Sequence, residues 1–270
     1  MRPNSKSDFK RDFESALALR AVSTVNELLL NRAEILTVST KTSPRDIVTE
    51  LDVAIEKHLS EVLKDSHYRI VGEESYDEKN APLSPGPCWL LDPIDGTVNF
   101  VNGMPLYAIS VGLYDRGFVT GAISLPVFKE LFFTYQEHSY LNGTRLHVND
   151  CALTEAVVVE CFSEISNNQE RENEYELFSN INEKSRGCLR LGSAATSLCY
   201  AACGRIQGVV GFENQVWDIA AGIAIAKQAG CEVVLSLDPS STRVSYIVGT
   251  KSVVLEIQRL CKEHHLSLGG

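Results

Sequence analysis

Apolar residues recur at helical spacing from Phe13 to Ala33, where Leu17, Ala21, Val25, Leu28 and Leu29 share one face and predict a first helix. A second is predicted to start near Thr49, because Thr49-x-x-Asp52 offers a capping box ahead of Leu51, Ile55, Leu59 and Val62. The pattern then shortens to strand-like runs at Tyr68–Val71, Cys88–Asp92, Leu106–Tyr114, Phe118–Leu125 and Leu131–Tyr135. Asp115-Arg116-Gly117 and Asn142-Gly143 read as hairpin turns between such runs. Two helices on a mostly antiparallel sheet are therefore expected for the first half.

The rhythm changes near residue 150. Strands are predicted at Val157–Phe162, Ile206–Phe212, Glu232–Leu237 and Val244–Val248, and Leu189–Leu191 leads into a helix. They alternate with helices at Gln169–Glu183, Ser193–Ala202, Asp218–Ala229 and Val253–His264, and Gly204 and Gly230 close two of these. Alternation of this kind predicts an α/β layer, so the expected whole is a layered α+β / α/β sandwich. Its soft boundary separates an N-terminal part, 1–147, from a C-terminal part, 148–270.

Composition narrows the function. The 270 residues are 44% hydrophobic, enough for a large core, and carry a formal net charge of −10, which argues against nucleic-acid binding. No run is apolar enough to span a membrane, and no leader is evident at the start; a cytoplasmic protein is expected. The eight cysteines are scattered without a CxxC pair, so free thiols are expected rather than disulfides or a zinc site.

Acids stand at the ends of apolar elements in four places: Glu73 and Glu74, Asp92 and Asp95, Asp218, and Asp46. Each admits a simpler reading. Asp-Pro and Asp-Gly are common turn dipeptides, Glu73 and Glu74 suit a solvated loop, Asp218 suits the first turn of a helix, and Asp46 suits a turn. Acids projected together from several sheet ends would repel one another unless cations sat among them, and oxygen-only donors suit Mg²⁺ or Mn²⁺. Gly96-Thr97, at a turn into a helix, leaves backbone N–H groups for phosphate oxygens. Such a site admits an anionic substrate despite the acidic chain.

The motifs GEES (72–75), DPIDGTVNF (92–100) and WDIAAG (217–222), with DIVTELD (46–52) upstream, together resemble the inositol monophosphatase family over residues 10 to 265. The resemblance implies a layered fold, a homodimer, lithium sensitivity and two or three Mg²⁺ per subunit. It implies metal ligation by Glu73, Asp92, the Ile94 carbonyl, Asp95 and Asp218, with Asp46 near a weaker third ion. Glu73 and Thr97 would orient the attacking water, with Asp95 counted among the catalytic groups. The Gly96 and Thr97 amides would hold phosphate, and Gly192, Ser193 and Ala194 would line the alcohol. The implied activity is hydrolysis of a small polyol or sugar phosphate such as inositol 1-phosphate. Fructose 1,6-bisphosphate, adenosine 3′,5′-bisphosphate and histidinol phosphate are alternative substrates, and a non-catalytic regulatory relative is the alternative of another class.

Two departures bear on the substrate. Asn102 stands where inositol-binding members usually have His. Gly211 stands where they have Glu, seven residues before the WD aspartate, and the nearest acid is Glu213. The glycine predicts a more open alcohol pocket, unless Glu213 reaches in.

Overall fold

The computed structural model describes residues 6–30, 38–40, 47–77, 82–83, 86–162, 167–266 and 268. Asp46 lies outside them. The order is α1 (Lys6–Leu30), β1 (Val38–Thr40), β2 (Ile47–Thr49), α2 (Glu50–Leu63), β3 (Arg69–Gly72), β4 (Cys88–Asp95), α3 (Thr97–Val101), β5 (Ala108–Tyr114), β6 (Phe118–Leu125), β7 (Glu130–Tyr135), β8 (His138–Leu141) and β9 (Thr144–Arg145). The second half runs β10 (Val157–Cys161), α4 (Asn168–Lys184), β11 (Gly187–Leu189), α5 (Ala194–Ala202), β12 (Gly208–Gln215), α6 (Val216–Gln228), β13 (Glu232–Leu237), β14 (Arg243–Gly249) and α7 (Lys251–Glu263).

Strands β3 to β9 form a seven-stranded sheet in chain order, antiparallel except for the β3–β4 pair. A five-stranded mixed sheet has the order β11-β10-β12-β14-β13, with β11, β10 and β12 mutually parallel. Side chains alternate across each strand, so each sheet supplies two apolar faces. Leu17, Val22, Ile55 and Leu59 of α1 and α2 pack with Trp89, Leu91, Ile109 and Val111 on one face of the larger sheet. Its other face, with Leu90 and Ile123, packs on α5 and α6, which also meet Val209, Val244 and Val248 of the smaller sheet. The far face of that sheet, with Val158, Val210 and Ile247, is covered by α4 and α7. Five layers result: helices, sheet, helices, sheet, helices.

The middle layer is drawn unusually close. A Cβ placed on Gly121 of β6 would lie 2.3 Å from the Ala221 carbonyl oxygen, and one on Gly112 of β5 would lie 2.6 Å from Ala220 Cβ. The two glycines are register partners, so together they open one trough for α6. On the other side of that helix, a Cβ on Gly222 would meet Leu198 of α5 at 2.6 Å. The Ala220-Ala221-Gly222 run is thus the contact surface that lets α6 pack backbone to backbone.

Sequence expectation and structure agree on most elements, and the differences have local causes. α2 starts with the expected box: Thr49 accepts from the Asp52 amide while its own amide donates to Asp52 Oδ2 at 2.8 Å. α6 begins two residues before Asp218, because Gln215 and Asp218 themselves form a capping box. The short β1–β2 ribbon and the extension of β12 through Gln215 were not foreseen. All eight cysteines are free, and no helix among the described residues is long and apolar enough to cross a membrane.

Candidate functional site

Asp92 and Asp95 are three residues apart, a spacing that sends side chains to opposite faces of a regular strand. The β4–β5 register breaks between them: Asp92 pairs with Ser110 but Asp95 with Ala108, so β4 holds one extra residue. This bulge, at Pro93 with its missing N–H, turns both carboxylates toward the same side. Asp92 is 1% exposed and its Oδ1 is buried without a hydrogen-bond partner. Burial holds its carboxyl well above the ordinary range, and the charges of Glu73, Asp95, Asp218 and Asp52 push it further the same way. Four acids that the sequence singled out thus share one field. Among the described residues, no three His, Cys, Asp or Glu side chains are closed to metal-holding spacing, so these acids are neighbours through their fields rather than a finished ligand cage.

Asp95 is also buried, and its carboxylate sits at the start of α5. The Ser193 hydroxyl donates to it, as do the amides of Ala194 at 3.2 Å and Ala195 at 2.8 Å. Burial raises its carboxyl to about 6, against the downward pull of those hydrogen bonds. Ser193 also caps α5 by accepting from the Thr196 amide at 3.1 Å. The 192–194 segment is therefore fastened to Asp95, a link the sequence did not reveal.

Gly96 holds φ +91, and a Cβ there would press on the carbonyls of Leu106 and Gly192 at 3.0 and 3.1 Å; only glycine makes this turn without strain. The Thr97 hydroxyl donates to the Ile94 carbonyl at 2.9 Å. Asn99 of α3, mostly buried, donates to the carbonyls of Leu106 and Leu191 at 2.6 and 2.8 Å, tying the 96–99 turn to the 192–194 segment. Exposed Asn102 closes its own turn by donating to the Val98 carbonyl at 2.8 Å.

Glu73 leaves the end of β3, where its amide donates to the Leu91 carbonyl at 3.1 Å. Behind it stands a residue the sequence reading missed. Glu56 of α2 is 5% exposed, and it accepts from the Glu74 amide at 2.8 Å. A Cβ on Gly72 would lie 2.2 Å from its carboxyl carbon, so the glycine is what admits it. The signal was available: Asp52 and Glu56 continue through Leu59 and Leu63 along one buried stripe, and acids on an apolar stripe need a partner.

Asp218, in the first turn of α6, accepts from the Gln215 amide at 3.3 Å, so its simpler role as a capping residue is present as well. Glu213 is exposed, with φ 51, in the irregularity where Gly211 pairs with Tyr246 but Asn214 with Val244. Its carboxylate accepts from Ser245 at 3.3 Å. The position of Gly211 is itself closely lined. A Cβ at Gly211 would meet the Tyr246 ring at 2.6 Å and Asn214 Oδ1 at 2.5 Å, so a cross-strand tyrosine fills that space.

The profile of the inositol monophosphatase family matches residues 11–267. The chain belongs to the inositol monophosphatase family. Among relatives, it is 34% identical over 206 residues to an inositol-1-monophosphatase of Bacillus subtilis, covering 73% of this chain and 75% of that protein. It is 32% identical over 225 residues to a fructose-1,6-bisphosphatase/inositol-1-monophosphatase of Aquifex aeolicus, covering 82% and 83%. The extragenic suppressor protein suhB of Bartonella henselae superposes with a TM-score of 0.80 at 26% identity, over 92% of this chain and 98% of that one. The family's layered architecture is the one described above.

The donors fit the metal chemistry of this family. The shared field is made of carboxylates, all hard oxygens, and one carboxylate oxygen is buried with no partner.

Proposed function

We propose that this family member is a Mg²⁺-dependent phosphomonoesterase acting on a small polyol or sugar phosphate, inositol 1-phosphate among them. The observation that carries the reading is the orphaned oxygen of Asp92 in the field of Glu73, Asp95 and Asp218. Glu73, Asp92, Asp95, Asp218 and the Ile94 carbonyl would hold the ions, with Asp46 beside a third. When bound, Mg²⁺ supplies the Lewis acidity that activates water and stabilises a leaving alkoxide.

The chain's own groups provide orientation. Glu73, held from behind by Glu56 through the next amide, and Thr97, pinned on Ile94, orient the attacking water. The amides of Gly96 and Thr97 hold phosphate oxygens, and 192–194 bounds the alcohol. Residues 1–147 then supply most of the donors, and 148–270 close the site. A homodimer accompanies this reading by resemblance. The name of the Aquifex relative supports testing a sugar bisphosphate beside inositol 1-phosphate.

The test is phosphate release from inositol 1-phosphate, fructose 1,6-bisphosphate, adenosine 3′,5′-bisphosphate and histidinol phosphate, with and without Mg²⁺. Metal-dependent release from at least one ester is expected. Full turnover in excess chelator, or no release from any ester, would overturn the proposal.

A further inference from the structure

Glu73 and Asp218 reach the shared field on two elements of unlike support. Asp218 rides on α6, whose main chain rests on β5 and β6 at Gly112 and Gly121. Glu73 stands in a turn that leaves β3, and that turn is held by contacts of its own. Two run through main-chain amides: Glu73 to the Leu91 carbonyl at 3.1 Å, and Glu74 to Glu56 at 2.8 Å. A third follows at Tyr76. Its half-buried ring lies 5.3 Å from the ring of Trp217, tilted at 53°, within the spacing of an attractive aromatic pair.

Trp217 immediately precedes Asp218, and Tyr76 follows Glu73 by three residues, so this pair joins the two acid-bearing elements directly. Trp217 is the fixed post of the joint. It is buried in the central core, and its indole N–H has no hydrogen-bond partner, so packing rather than hydrogen bonding seats it. Tyr76 packs against that core from the turn. A load acts on the joint. Glu73, Asp95 and Asp218 all act by charge on Asp92, and acids of like charge push one another apart. That repulsion drives the turn carrying Glu73 outward, and the aromatic pair opposes it.

We infer that Tyr76 is a positioning residue: by resting on Trp217 it holds Glu73 at the span from Asp218 that Mg²⁺ binding requires. The inference rests on the phosphomonoesterase reading and deepens it, by assigning the hold on the acids to an aromatic joint outside the donor set. The ring contact is the working feature. Joint and ion are coupled, so a cation drawn to the acids steadies the pair, and the pair in turn raises affinity for the cation.

The experiment compares wild type with Tyr76→Phe, Tyr76→Leu and Tyr76→Ala. Each is measured for Tm in excess chelator and at a fixed excess of Mg²⁺, for Mg²⁺ affinity by calorimetry, and for kcat and KM with inositol 1-phosphate. Tyr76→Phe keeps the ring and should match wild type throughout. Tyr76→Leu and Tyr76→Ala should bind Mg²⁺ about three- to tenfold more weakly, the scale of one aromatic pair, and lose kcat more than KM. Their deficit in Tm should accordingly be larger with Mg²⁺ than with chelator. A ring that merely packs the surface costs the same Tm in both buffers. Equal deficits with unchanged Mg²⁺ affinity would therefore overturn the inference, and so would Tyr76→Phe falling as far as Tyr76→Ala. Should Tyr76→Ala not fold, Tyr76→Leu, which keeps the apolar bulk, carries the comparison. A wild type that binds Mg²⁺ but hydrolyses no ester sinks the functional proposal alone, and Tm and calorimetry still decide on Tyr76. One that ignores Mg²⁺ sinks both.

Discussion

Glu160, on β10, is the most exposed to test of the buried groups outside the site. It is 0% exposed, and neither carboxylate oxygen has a hydrogen-bond partner. Burial, followed by the charge of Glu174, raises its carboxyl from 4.5 to about 9. The folded value lies above the unfolded one, so the unfolded chain releases this proton first as pH rises. Stability conferred by the neutral form is complete below 4.5 and is lost as pH climbs toward about 9. Each pH unit in that window costs about 1.4 kcal/mol, and by about pH 7 the accumulated loss is about 3 kcal/mol. Glu160→Gln keeps the shape of the neutral acid and has no proton to release. Its amide leaves two polar atoms without partners just as the acid did, so that contribution cancels in the comparison. The variant should match wild type near pH 4.5 and exceed it by about 3 kcal/mol near pH 7. Urea unfolding from about pH 5 to about pH 8, at fixed Mg²⁺, reads the gap between the two chains. Parallel stability curves across that range would refute the argument.

Glu56→Gln should lower kcat more than tenfold with KM less affected, since a weaker hold on the Glu74 amide loosens Glu73; steady-state kinetics with a far-ultraviolet check on folding decide it, and an unchanged kcat would count against the positioning role. Gly121→Ala should destabilise by about 1–3 kcal/mol or more, because the new methyl group strikes the Ala221 carbonyl, and thermal unfolding measures it. Tyr246→Phe should leave Tm unchanged or raise it, because the hydroxyl removed has no partner of good geometry; a drop of several degrees would reveal an interaction that the structure does not contain. Chelation should abolish phosphate release, and Mg²⁺ should restore it, as followed by released phosphate.

Much of this arrangement was legible because local rules wrote it. The box at Thr49–Asp52, the Asp115-Arg116-Gly117 hairpin and the alternating second half follow from spacing alone. The motif acids were found because carboxylates at sheet ends are conspicuous, and the structure draws four of them into one field. What escaped detection depends on registers and partners distant in sequence. The bulge that turns Asp92 and Asp95 the same way is a property of β4 against β5. Glu56 makes sense only beside Gly72, and Gly211 only beside Tyr246. A position read from one strand as empty is lined by a neighbour two strands later in sequence.

The trough made by Gly112 and Gly121 sets a tolerance for the whole centre. Asp92 rides on β4, beside β5, and Asp218 rides on α6. The gap between strand and helix is fixed by main chain resting on main chain rather than by the ends of side chains. Side chains change rotamer and trim to fit, whereas backbone in contact has almost no play. The separation of the acids therefore behaves as a machined clearance, insensitive to repacking elsewhere in the core.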